Sequence, residues 1–172
     1  IADVLFGDCN PSGRLPISVP RSVGQLPVYY NHLPPMPHDY VETTARPLYA
    51  FGHGKSYTTF GYSNLSINAV GKDSVVVAFD VTNTGRRDGC EVVQLYLNDS
   101  VASVAQPVMQ LRRFARIPLS IGQTQHVSFT LRASDLGLVN REKQWVVEPG
   151  WFNVMVGAAS DDIRLRGRFK IS

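Results

Sequence analysis

From Leu65 to the C-terminus, apolar residues recur with a period of two, in run after run separated by Gly, Pro and Asn turns. Val75, Val77, Phe79 and Val81 share one face of such a run. Val93, Leu95 and Leu97 share another, with Gln94 and Tyr96 on the opposite side. Val127, Phe129 and Leu131 continue the pattern, as do Phe152, Val154 and Val156 around Asn153 and Met155. The last run sets Ile163, Leu165, Phe169 and Ile171 against Arg164, Arg166 and Arg168. Successive side chains of a strand point to opposite faces, so each run gains one core face and one outward face. No helical period interrupts them. The pattern predicts a mainly β chain, an immunoglobulin- or fibronectin type III-like β-sandwich, which needs roughly 100 residues. Residues 63–172 suffice.

The first third reads differently. Ile1 to Phe6 is an apolar, helix-compatible run stopped by Gly7 and Asp8, and Asn10-Pro11-Ser12-Gly13 is a turn. Leu15, Ile17 and Val19 alternate with Pro16 and Ser18, which predicts a short edge strand. A helix end and one strand cannot bury a core of their own. This segment must lie against the sandwich, pair with another chain or stay partly disordered. Residues 31–47 carry four prolines and no period, which predicts a long loop. Pro47 to Ser63 then crowds five aromatics around Gly52, Gly54 and Gly61. Glycines permit tight turns and close approach, and rings supply area to pin a segment down, so this stretch reads as a belt across a neighbouring module.

Composition removes several function classes. A hydrophobic content of 44% argues against disorder, and no stretch approaches the roughly 20 apolar residues of a membrane helix. The net charge of +3 comes from thirteen Arg and four Lys against fourteen acidic residues. Arg112, Arg113 and Arg116, and the stripe Arg164, Arg166 and Arg168, read as solvent-facing sheet surface. A nucleic-acid face would need a larger basic excess with interleaved aromatics. Cys9 and Cys90 make no disulfide framework and are expected as free thiols. His32 and His38 flank the Pro-rich loop with Asp39 beside them, yet zinc needs three or four converging ligands, so no metal site is expected. His53, between two glycines of the belt, reads as structural. Asp73, Asp88, Asp99, Asp161 and Asp162 sit in turns or on outward faces, and Asp135 is expected as a turn residue.

Four segments carry a family resemblance: residues 2–32 (ADVLFGDCNPSGRLPISVPRSVGQLPVYYNH), 47–63 (PLYAFGHGKSYTTFGYS), 82–96 (TNTGRRDGCEVVQLY) and 145–157 (WVVEPGWFNVMVG). In this order they resemble the C-terminal end of glycoside hydrolase family 3, the β-glucosidases and β-xylosidases. The resemblance departs from the family pattern at Ala50, Lys55 and Cys90. It implies a (β/α)8 barrel, then an α/β sandwich, then a fibronectin type III-like domain. Residues 1–30 would be the residual end of the α/β sandwich, 31–62 the Pro-rich linker and belt, and 63–172 the terminal domain. The family's nucleophilic Asp lies in the barrel and its acid/base residue upstream of residue 1, so no catalytic residue, metal or organic cofactor is expected here. Retaining hydrolysis also needs two carboxyl groups about 5–5.5 Å apart, a pair that these scattered acids do not suggest.

The function implied is that of a non-catalytic structural domain of a retaining exo-β-glycosidase. Its partners would be the upstream barrel and α/β sandwich, a β-linked oligosaccharide reached through the parent enzyme, and a homodimer mate. A periplasmic or secreted location is implied by resemblance alone. Within the loop, Tyr29, Tyr30, Asn31, His32, Asp39 and Tyr40 offer rings and hydrogen-bonding groups suited to sugar hydroxyls, and are candidates for a substrate rim. The plainer alternative is an ordered linker with aromatic anchors. Two other readings stay open: a carbohydrate-binding module stacking sugars on Trp145 and Trp151, or an interaction module using apolar residues 1–19. Asn64-Leu65-Ser66 and Asn98-Asp99-Ser100 fit the glycosylation sequon.

Overall fold

A computed structural model describes residues 1–34, 39, 44–70 and 74–172. His38, Tyr40 and Asp73 lie outside the described residues.

The alternating runs become strands β1 (Phe60–Val70), β2 (Ser74–Asn83), β3 (Gly89–Asp99), β4 (Gln110–Leu119), β5 (Thr124–Arg132), β8 (Gly150–Ala159) and β9 (Asp162–Ile171). A two-stranded ribbon, β6 (Leu138–Val139) with β7 (Trp145–Val146), fills the connection from β5 to β8. Every ladder is antiparallel: β1-β2-β5 forms one sheet and β4-β3-β8-β9 the other. This three-plus-four arrangement is the fibronectin type III-like sandwich that the periodicity predicts. β1 starts at Phe60, ahead of the expected Leu65, and its register slips between Ser63 and Ser66 where Asn64 takes φ 54°.

The core lies where the two inner faces meet. Val75, Val77, Phe79 and Val81 from β2 face Val93, Leu95 and Leu97 from β3 and Phe152, Val154 and Val156 from β8, all buried. Phe152 stacks on Phe169 with centroids 5.4 Å apart, which joins β8 to β9. Each such side chain stabilises the fold by about 1.5–3 kcal/mol on burial.

Two short helices accompany the strands. α1 (Ala2–Leu5) is a single turn with no buried residue. α2 (Ala133–Leu136) is a helical turn in a region where the sequence suggested no helix. The Asp135 carboxylate makes it, accepting the Arg132 N–H at 2.8 Å and satisfying an otherwise orphaned helix-start donor.

The expected edge strand at Leu15–Val19 does not form. Val19 makes an isolated bridge to Tyr49, and Leu15 exchanges backbone hydrogen bonds with His53 and Gly52. Pro16 and Pro20 lack the N–H donors a continuous ladder needs, so pairing survives only at scattered points.

The belt lies across the sandwich that follows it in the chain. It crosses the outer face of this chain's own four-stranded sheet. Phe51 stacks on Tyr30 at 4.1 Å, Tyr30 meets Tyr96 of β3 edge-on at 5.9 Å, and the Ser160 N–H donates to the Phe51 carbonyl. β3 is therefore buried on both faces, and Gln94 and Tyr96 are almost completely covered. Gly52 permits this: its φ is +83°, and a Cβ there would run into the Gln94 amide.

Candidate functional site

Three places carry candidate chemistry. The first is the junction between residues 7–14 and the sandwich. Asn10 is its centre: its Nδ2 donates to the Asp88 carbonyl, and its Oδ1 accepts from Ser56 Oγ and the Tyr57 N–H. Around it, Arg87 Nη2 donates to the Gly7 carbonyl at 2.7 Å, and Tyr57 Oη donates to the Val4 carbonyl at 2.6 Å. Arg116 Nε donates to Ser12 Oγ at 3.0 Å.

Arg14 reaches furthest. Its Nη2 lies 2.6 Å from Glu91 Oε1, with only 13% and 4% of the two side chains exposed. It passes beside Gly54 of the belt, where a Cβ would leave it no room. Glu91 stands at a core-facing position of β3, where a buried charge is costly unless paired. The sequence gives the turn but not this pair, because the partners are 77 residues apart and neither fits a motif. An acidic residue at an inward position of an alternating strand is the one signal that could have pointed to it.

The second place is the Pro-rich loop. Its base is clamped by Gln25, a buried residue in the 3-10 turn Val23–Gln25. Gln25 Nε2 donates to the carbonyls of Thr44 and Arg46, and its Oε1 accepts the Arg21 N–H. The loop borders an open hollow of about 1670 Å³, whose walls include Tyr29, Tyr30, Asn31, His32, Asp39 and Arg166.

These rim candidates do different things. The Tyr30 ring is the belt's stacking partner, and its hydroxyl accepts the Leu111 N–H at 3.3 Å. His32 is tied by its carbonyl, which accepts the Val108 N–H, while its ring Nδ1 sits 3.1 Å from the Leu33 carbonyl. Asp39 turns back on its own loop, accepting from the Ala45 N–H and Thr44 Oγ1. Those bonds hold its carboxyl below the usual range. Tyr29 and Asn31 are exposed. Tyr40 lies outside the described residues. The hollow thus gathers Tyr30, Asn31, His32 and Asp39 along one wall, but two of the four spend their side chains on the loop itself.

The third place is the tryptophans. Trp151, 41% exposed on the outer face of β8, lies under the Arg168 guanidinium at 4.5 Å, a cation–π arrangement that occupies one face of its ring. The Trp145 ring lies against Gly137, where a Cβ would collide with it. Nearby, the Ser103 N–H donates to Glu148 Oε2 at 2.8 Å and Ser103 Oγ donates to Oε1, which holds the Glu148 carboxyl below its ordinary range. Asp99 is shifted the other way by burial, with the Glu148 charge adding to it.

Other charged groups are structural or solvated. Arg113 grips Asp135 through both carboxylate oxygens, at 2.7 and 2.5 Å. The turn residue of the sequence reading is thus the anchor of α2. His126 lies on β5 with its Nδ1 2.7 Å from Asp80 Oδ1, and Asp80 also accepts from Asn64. Both sequon asparagines donate their amides to other groups of the chain, the exposed Asn64 to Asp80 and Asn98 to the Pro107 carbonyl. Cys9 and Cys90 are free thiols. Arg164, Arg166 and Arg168 are exposed, as period two requires.

Comparison with known proteins agrees with this geometry. Residues 1–57 match the glycosyl hydrolase family 3 C-terminal domain, and residues 91–160 match the fibronectin type III-like domain. A periplasmic β-glucosidase of Salmonella typhimurium is 45% identical over 99% of this chain, and a β-xylosidase of Formosa agariphila is 45% identical over 95%. The chain spans 24% of the length of each. A β-glucosidase structure from Erythrobacter marinus superposes with a TM-score of 0.93 at 42% identity, covering 99% of this chain and 23% of that one. A Listeria innocua β-glucosidase structure solved with glucose gives a TM-score of 0.86 at 35% identity, covering 98% and 25%.

Proposed function

This chain belongs to glycoside hydrolase family 3, as its C-terminal part, and from that premise we propose that it is a non-catalytic structural domain of a retaining exo-β-glycosidase of β-glucosidase or β-xylosidase type. One observation carries the reading: residues 1–26 have two unlike sides. Toward the sandwich they are fixed by Asn10, Arg14, Arg87 and Tyr57. Away from it Ile1, Leu5, Phe6, Ile17, Val23 and Leu26 stand more than half exposed. So many exposed apolar side chains on one short segment are what an interaction site would show. In a longer polypeptide the preceding barrel and α/β sandwich would cover it, and the sandwich would hold this segment in the shape they dock on.

Hydrolysis then belongs to those upstream domains, and β-linked oligosaccharide is a partner of this chain only as part of the parent enzyme. The hollow beside the Pro-rich loop is the part of the surface suited to a substrate rim, with Asn31 and Tyr29 the groups free to touch a sugar. Purified alone, the chain is expected to leave aryl β-glucosides and β-xylosides intact. Turnover that survives further purification and tracks the protein would overturn the reading.

A further inference from the structure

The chain has two cysteines, and they stand on either side of one contact. Cys9 directly precedes Asn10. Cys90 directly follows Gly89, where a Cβ would lie 2.7 Å from the Asn10 Nδ2. The same Nδ2 donates to the Asp88 carbonyl at 2.9 Å. Two further bonds bracket the stretch. Arg87 Nη2 donates to the Gly7 carbonyl at 2.7 Å, and Arg116 Nε donates to Ser12 Oγ at 3.0 Å. Arg116 shares its face of β4 with Pro118, the ladder partner of Cys90. The chain is thus tied to the start of β3 and its β4 neighbour both before and after Cys9. Cys9 is exposed, Cys90 is half-buried, and both are free thiols. α1, ahead of Cys9, has no buried residue, so Cys9 can swing toward β3 without disturbing the core.

We propose that Cys9 and Cys90 form an intramolecular disulfide in oxidising surroundings, a redox-controlled staple between residues 7–14 and β3. Bonded cysteines have Cα atoms about 4.4–6.8 Å apart, and successive Cα atoms lie about 3.8 Å apart. One-residue offsets from the Asn10–Gly89 contact therefore leave a gap that a local swing of Cys9 closes. With a disulfide such as oxidised glutathione as oxidant, the exposed Cys9 thiolate attacks one of its sulfurs and expels a glutathione thiolate. The Cys90 thiolate then attacks Cys9 Sγ and expels the second. The two protein thiols lose two protons and two electrons, and one glutathione disulfide becomes two glutathiones. The bond closes a loop of roughly 80 residues, a length at which a cross-link restricts the unfolded chain strongly. A reducing compartment leaves the joint to its hydrogen bonds and the Arg14–Glu91 pair, and an oxidising one adds a covalent lock.

The experiment is incubation of the folded 172-residue chain with oxidised glutathione, followed by intact mass, peptide mapping without reductant, and thermal melting. The expected product is a monomer lighter by two hydrogens, with a peptide pair joining Cys9 to Cys90. Its melting temperature should rise by roughly 5 °C or more and return to the starting value in dithiothreitol. Cys9→Ser and Cys90→Ser should each abolish both the link and the rise. Glutathione adducts on the two cysteines without a link between them would overturn the proposal, as would a dimer joined through Cys9 or thiols that stay unreacted. A link that forms as readily in the urea-unfolded chain would also overturn it, because such a link would owe nothing to the joint. The mapping is done on wild type, so the result stands even if a serine variant fails to fold.

Discussion

Arg14 and Glu91 decide how residues 1–57 relate to the sandwich. Removing one member of a buried pair leaves the other charge uncompensated, at a cost of about 3–5 kcal/mol. Arg14→Met should therefore lower the urea midpoint sharply, and adding Glu91→Leu should recover most of the loss. A single-mutant loss within experimental error would show that the pair is solvated. Gly52 is the second decisive residue. With φ at +83° and the Gln94 amide against it, Gly52→Ala should destabilise by about 1–3 kcal/mol in the same measurement. The sequence made Gly52 legible, as a glycine among rings, but left Arg14 and Gln25 silent. Periodicity reports which face of an element is buried, and it says nothing about a polar side chain threading from a loop into a distant strand.

At the scale of elements, the sandwich strands were readable because their chemistry repeats every second residue. The failures share one cause, the competition of local and tertiary contacts. Leu15–Val19 alternates like a strand, yet its prolines remove donors and leave it bridged only at points. α2 carries no helical period, yet the Asp135 carboxylate and the Arg113 fork are enough to make one turn. The β3–β4 connection gives a pH prediction. Glu148 has its pKa lowered by the Ser103 hydroxyl and N–H, so its contribution is complete above its unfolded pKa, about 4.3, and is lost as pH falls through the lower folded value. Asp99, raised by burial, acts in the opposite sense. Glu148→Gln should therefore flatten the acid limb of the melting-temperature profile. A limb that falls as steeply as wild type would remove Glu148 from the account. The tryptophans belong to this scale too. Because Arg168 covers one face of Trp151, the isolated chain should pass through insoluble β-glucan unretained. Retention that Trp151→Ala abolishes would restore the carbohydrate-binding alternative.

For the molecule as a whole, the sequence motifs pointed to family 3 and to the mainly β fold, and the three-plus-four sandwich and the matches over residues 1–57 and 91–160 bear this out. What they could not give was the geometry of the joint. The belt covers this chain's own sheet through stacked rings, and residues 7–14 are hydrogen-bonded to the β2–β3 turn, so aromatic and polar contacts together join the two sequence-distinct parts. The most direct test is hydrolysis of an aryl β-glucoside and an aryl β-xyloside by the upstream polypeptide, before and after mixing with this chain. The account predicts that neither half is active alone and that turnover of one of the two substrates appears on mixing. An upstream half that is fully active and stable without its partner, and unchanged by it, would contradict a structural role for this domain.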